Sequence, residues 1–95
     1  NIFFIGSICR LKRPDIFIDV LNILNELSSI TFNGYIIGPV LEKSCFEETE
    51  KKIKCAKNKG IIKYLGSIPH KKLLSDIYPN IDILFLSSEK IHYQQ

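Results

Sequence analysis

The chain has 95 residues, of which 45% are hydrophobic and 24% charged, with a formal net charge of +3. That length holds one domain, hiding roughly 60–70% of its unfolded surface, and the apolar content excludes a disordered chain. Lysines and glutamates are interleaved rather than gathered into a one-sided basic stripe, which excludes the footprint of a nucleic-acid binder, and no apolar run nears the ~20 residues that span a bilayer.

The first apolar run, Ile2–Ile5, ends at Gly6 and is followed by Arg10, Lys12 and Arg13. Its β-branched and aromatic content reads as a strand buried on both faces, as in a parallel sheet. Pro14 then suits the first position of a helix, where its missing N–H leaves no hydrogen bond unmade. In that helix Phe17, Val20, Leu21, Leu24 and Leu27 recur at 3.6-residue spacing and form the expected core face. A second strand over residues 35–37 ends at Gly38, Pro39 and Val40. The next helix is expected to open with a capping box of Ser44 and Glu47, to carry glutamates early and lysines late, and to stop at Gly60. Lys51, Lys52, Lys54, Lys57 and Lys59 read as a solvated, dipole-compensating helix end. A third strand over residues 61–65 ends at Gly66, a short helix from His70 runs into Pro79, and a fourth strand covers residues 83–86.

Strands and helices thus alternate, which predicts an α/β fold: an open parallel sheet of about four strands with right-handed crossovers, behaving as one unit over residues 1–95. Ligands of such sheets bind beyond the carboxyl ends of the strands. The loops at residues 6–13, 38–42 and 66–70, and the stretch from Ser87, therefore share one crevice region. Arg10 and Lys12 lie in the first of these loops, just before a helix N-terminus with its partial positive charge. Known nucleotide motifs do not fit. GxGxxG fails because only Gly6 is present, and no acid follows the second strand for a ribose. A P-loop fails for want of a second glycine and of a Ser or Thr after Lys12. A phospho-receiver aspartate is missing where the strands end Ile5-Gly6 and Leu65-Gly66.

In order and spacing, FFIGSICRLKRPDIFIDVL, YIIGPV and IIKYLGSIPHKKLLSDIYPNIDILFLSS resemble the C-terminal domain of group 1 (family 4) glycosyltransferases, enzymes with two facing Rossmann-like domains. The likeness covers nearly the whole chain, and its specificity lies in the ordered set rather than in any one motif. It implies that the chain is the donor-binding half of a longer enzyme, one that passes a sugar from a nucleotide-diphosphate sugar to a saccharide or lipid-linked acceptor. The family's diphosphate-binding arginine aligns with Ser7, so Arg10 must supply that contact or it is lost. The family's lysine aligns with Lys12, implied to hold the leaving diphosphate. Gly6 is implied to let the backbone approach the phosphate closely, Gly38 belongs to the matching Gly-Pro turn among the donor-binding residues, and Ser67, Ile68 and Pro69 are implied to hold the base, largely through backbone groups. The family's paired glutamates are not matched: Glu89 comes too early for the first, and the second would fall beyond Gln95. The resemblance implies no metal and no cofactor beyond the donor itself, and no residue here is assigned as catalytic.

The acceptor would sit on an N-terminal domain outside this chain. A chain with no methionine that starts at Asn1 and stops at Gln95 without a closing element is expected to be a piece of a longer protein. Three cysteines, Cys9, Cys45 and Cys55, with no CxxC pair, read as free thiols of a reducing compartment. With no leader pattern recognised, the expected location is cytoplasmic, with peripheral association at the inner membrane face in the parent. A zinc site from Cys9, Cys45, His70 and His92 matches no common spacing. His70 reads as a helix-start residue beside the cleft, Asp15 and Asp19 as acids favoured by a helix N-terminus, and Tyr64 and Tyr78 as packing residues with a polar tip. The rival functions are a non-catalytic α/β module for a phosphate ligand or protein, and a sugar-nucleotide epimerase.

Overall fold

The computed structural model describes residues 1–56 and 60–85. Strands β1 (Ile2–Ile5), β2 (Gly34–Ile37), β3 (Ile62–Gly66) and β4 (Ile83–Leu84) form a single parallel sheet in the order β3-β2-β1-β4. Helix α1 (Pro14–Leu27) joins β1 to β2, α2 (Lys43–Cys55) joins β2 to β3, and α3 (His70–Lys72) begins the helical segment leading to β4. The chain steps outward from β1 to β3, then returns past β1 to place β4 on its other side. This is the open parallel sheet expected from the alternation, arranged as in a Rossmann-like half-unit. Right-handed crossovers for two steps in one direction put α1 and α2 on the same face, where Lys52 Nζ meets Asp19 Oδ1 at 2.6 Å.

The pleat sends alternate residues to opposite faces. Ile2, Phe4 and Ile36 point into the core formed with Phe17, Ile18 and Leu21 of α1, Cys45 of α2, and Ile8 beyond the end of β1. Phe17 is central, with ring centroids 5.8 Å from Phe4 and 5.4 Å from Phe85. On the other face Phe3 and Tyr35 stack at 5.0 Å. Gly34 lets α1 lie close on the sheet: a Cβ there would stand 2.1 Å from Leu21 Cδ1.

Several local expectations are corrected. Leu27 is 80% exposed, and the buried stripe of α1 is Pro14, Phe17, Ile18, Leu21 and Asn25. Asn25 can be buried because both polar atoms of its amide are partnered: Nδ2 donates to Phe32 O at 2.9 Å and Oδ1 accepts Phe32 N–H at 2.7 Å. The Ser44–Glu47 capping box does not form: the N-cap of α2 falls two residues earlier, at Glu42, with no side-chain cap. Nor does Gly60 end α2. Ala56 does, while Gly60 packs where a Cβ would meet Phe32 O at 2.1 Å. Lys57 and Lys59 lie outside the described residues, as do Leu86 and the stretch from Ser87 that was placed in the crevice. The third helix is not uniform. After Lys72 it widens to a π-turn over Leu73–Ile77 and tightens to a 3-10 turn over Tyr78–Asn80 that contains Pro79.

Candidate functional site at the carboxyl edge of the sheet

The loops after β1 and β2 are stitched into one ridge. Gly6 N–H donates to Ile37 O and Ile8 N–H to Pro39 O, both at 2.8 Å, and Ile8 O accepts the N–H groups of Leu41 and Glu42 at 3.1 Å. Ile8 pairs with Val40 as an isolated parallel bridge and is 0% exposed, so it anchors the ridge into the core. Gly38 has a φ of 155°, and a Cβ there would lie 1.7 Å from Gly6 O. Its N–H donates to Gly66 O at 2.9 Å and its carbonyl accepts the Tyr64 hydroxyl at 2.6 Å. The close approach that demands glycine here is therefore that of one loop backbone to another. Gly6, by contrast, could take a Cβ without collision, the nearest atom being Phe4 Cε1 in ordinary contact at 3.8 Å.

The cationic stretch folds as a 3-10 turn over Arg10–Lys12, closed by Arg13 N–H to Arg10 O at 3.3 Å. Arg13 is the N-cap of α1 and takes a left-handed φ of 55°, a costly conformation for a residue with a side chain. Its guanidinium folds back onto α1 and grips Asp15 as a two-pronged fork, Nε to Oδ1 at 3.0 Å and Nη2 to Oδ2 at 2.8 Å. This charge-assisted pair holds the Asp15 carboxyl below the usual carboxylate range, the Arg13 hydrogen bond being the largest cause. Arg10 is exposed and Lys12 half-buried. From the other loop, Glu42 Oε1 accepts the backbone N–H of Arg10.

Between this turn and α2 lies a cleft of about 150 Å³ lined by Arg10, Arg13, Asp15, Cys45, Glu48 and Thr49. Of the residues that the resemblance assigns to donor binding, only Arg10 lines it. Ser67, Ile68 and Pro69 follow β3 on a separate loop, with Ser67 and Pro69 exposed and Ile68 half-buried. That loop is tied to the ridge through the Gly38–Gly66 hydrogen bond. It leaves β3 just past an irregularity in pairing, where Ile36 faces Tyr64 but Ile37 faces Gly66, and Gly66 takes a left-handed φ of 85°.

Chemically, the described part of the edge offers cations and one buried thiol. Burial pushes the Cys45 thiol up, so it stays protonated near neutrality. Burial likewise raises Tyr64, whose ring packs edge-on to Phe46 at 5.1 Å. Cys9, Cys45 and Cys55 are all free thiols. Among the described residues no three of His, Cys, Asp and Glu converge on a point that could hold a metal ion, and no helix is long and apolar enough to cross a membrane. Asp15 and Asp19, seen from sequence as a pair of acids, are divided between Arg13 and Lys52. The sequence places Glu42 at the edge with its loop, residues 38–42, but its contact with Arg10, 32 residues away, carries no sequence signal.

No family model, curated protein or solved structure matches the chain.

Proposed function

We propose that this chain is the donor-binding half of a sugar-nucleotide-dependent glycosyltransferase, with the β1–α1 turn taking the diphosphate of the donor. The observation that carries this reading is the place of the cationic turn. In the order β3-β2-β1-β4 the chain reverses its winding direction at β1, and the crevice at such a switch point is where doubly wound sheets bind ligands. Arg10 and Lys12 follow directly from the carboxyl end of that strand. The resemblance in sequence order supplies the substrate class.

In this reading Lys12 and Arg10 make charge-assisted hydrogen bonds to the phosphates, each worth about 1.5–3 kcal/mol. They stabilise the negative charge that develops as the anomeric C–O bond to diphosphate breaks. Ser67, Ile68 and Pro69 form the base side through the loop joined to Gly38. The acceptor, a saccharide or lipid-linked glycan, belongs to a facing domain of the parent. Gly6 and Gly38 serve by shaping the ridge, since their N–H groups are engaged by Ile37 and Gly66.

An amide NMR titration of the 95-residue chain with UDP, GDP and ADP tests this. One nucleotide should shift residues 6–13 together with residues 66–68, and Lys12→Ala should weaken it about tenfold, the equivalent of ~1.4 kcal/mol. The rival reading, a phosphate or protein-binding module without catalysis, is favoured by the Arg13–Asp15 fork and Glu42, which offset part of the positive charge at the turn. It is the reading to adopt if inorganic phosphate shifts the turn while no nucleotide reaches residues 66–68. The epimerase alternative calls for turnover of the sugar nucleotide by the parent without an acceptor.

A further inference from the structure

We infer that Glu42 is a positioning residue of the anion site, holding the Arg10–Lys12 turn in the conformation that presents its cations to phosphate. The inference rests on the donor-diphosphate reading of that turn. The turn contains no buried residue, and its backbone is closed by Lys12 N–H to Cys9 O at 3.1 Å and Arg13 N–H to Arg10 O at 3.3 Å. At its leading end the Glu42 carboxylate joins the turn to the facing loop by accepting the Arg10 N–H.

Glu42 is itself well placed to act as a fixed post. Its own N–H donates to Ile8 O at 3.1 Å, and it is the N-cap of α2. The carboxylate does not cap that helix, where an N-cap acceptor ordinarily serves, but reaches across to the facing loop. A negative charge beside an anion site opposes the anion, so the carboxylate must contribute through geometry rather than through its charge. These two effects have opposite signs and can be separated. Glutamine keeps an acceptor oxygen at the same reach and removes the charge, whereas alanine removes both.

The test measures binding of inorganic pyrophosphate to the 95-residue chain and to the Glu42→Gln and Glu42→Ala variants, with the Arg10 amide followed by NMR hydrogen exchange. The two variants have equal charge, so their difference reports the acceptor alone. Glu42→Gln should bind pyrophosphate at least as tightly as the parent sequence and about fivefold or more tighter than Glu42→Ala. The Arg10 amide should stay protected with Gln and exchange faster with Ala, while amides of β1 and β2 are unchanged in both. Equal affinity and equal Arg10 protection in Gln and Ala, with pyrophosphate still bound, overturn the positioning role and leave the donor-site reading standing. No pyrophosphate binding by any of the three folded chains overturns the donor-site reading, and with it the assignment of Glu42 to that site.

Discussion

The two halves of this sheet are built differently. In residues 1–56 the apolar residues of β1, α1, β2 and the start of α2 close around Phe17, and every buried residue among those described lies there. In residues 60–85 none is buried: β3 contributes half-covered Ile62 and Tyr64, α3 and the turns after it bury no residue, and both residues of β4 are exposed. Yet both halves read alike in sequence, with apolar strands, glycines at strand ends and intervening helical stretches. Alternation predicts which elements form; how deeply each is buried depends on what covers it. Burial is therefore concentrated in the first half, while the second is joined to it by the backbone pairing of β3 with β2 and β4 with β1, with Phe85 against Phe17 and Tyr64 against Phe46 and Gly38 as its main side-chain contacts.

The sharpest way to break that contrast is to truncate one large side chain in each half. Phe17→Ala should cost about 3–5 kcal/mol, as removal of a buried aromatic does, whereas Leu74→Ala, at a residue 52% exposed, should stay within about 0.5 kcal/mol. Urea unfolding of both variants checks this, and comparable losses would show that the second half is packed as firmly as the first. Next in size is Gly38→Ala, for which we expect about 3 kcal/mol, because the new Cβ collides with Gly6 O and the φ of 155° is retained only at a cost. Gly6→Ala should be tolerated within about 1 kcal/mol, so equal effects at the two glycines would contradict the close approach of the loops.

Tyr64→Phe measures the tie between the halves. It removes the 2.6 Å hydrogen bond to Gly38 O and should cost about 1 kcal/mol, with faster amide exchange in β3 and little change in α1. Smallest is the pH response of the Arg13–Asp15 fork. The folded pKa of Asp15 is lowered, so its contribution is present above the unfolded carboxylate value and fades as pH falls through the folded one. With both side chains about a third exposed, the effect should remain below about 1 kcal/mol. Comparing acid unfolding with that of Asp15→Asn isolates it: the acid limb of the stability curve should be slightly flatter in the variant.

Strand positions, their parallel arrangement and the Pro14 helix start were legible because each depends on local pattern: short β-branched runs, glycine ends, and a proline with no N–H to lose. The rest was decided by tertiary contacts. Asn25 took a core position that periodicity reserved for Leu27 because Phe32, seven residues on, satisfies its amide. Ser44 did not cap α2: Ile8 accepts the N–H groups of Leu41 and Glu42, and the N-cap falls two residues sooner, at Glu42. The cationic turn was visible as a charge cluster, but the pairing of Arg13 with Asp15 follows from a left-handed backbone that no residue type announces. Glu42 entered through contact across two loops.

The central claim is that the cationic turn and the loop after β3 serve one ligand, which would join the well-packed half to the lightly packed one. Hydrogen exchange of the chain alone and with saturating UDP, GDP or ADP tests this most directly. With the nucleotide that binds, exchange should slow at Gly66, Ser67 and Ile68 together with residues 6–13. Unchanged exchange at residues 66–68 with all three would contradict it.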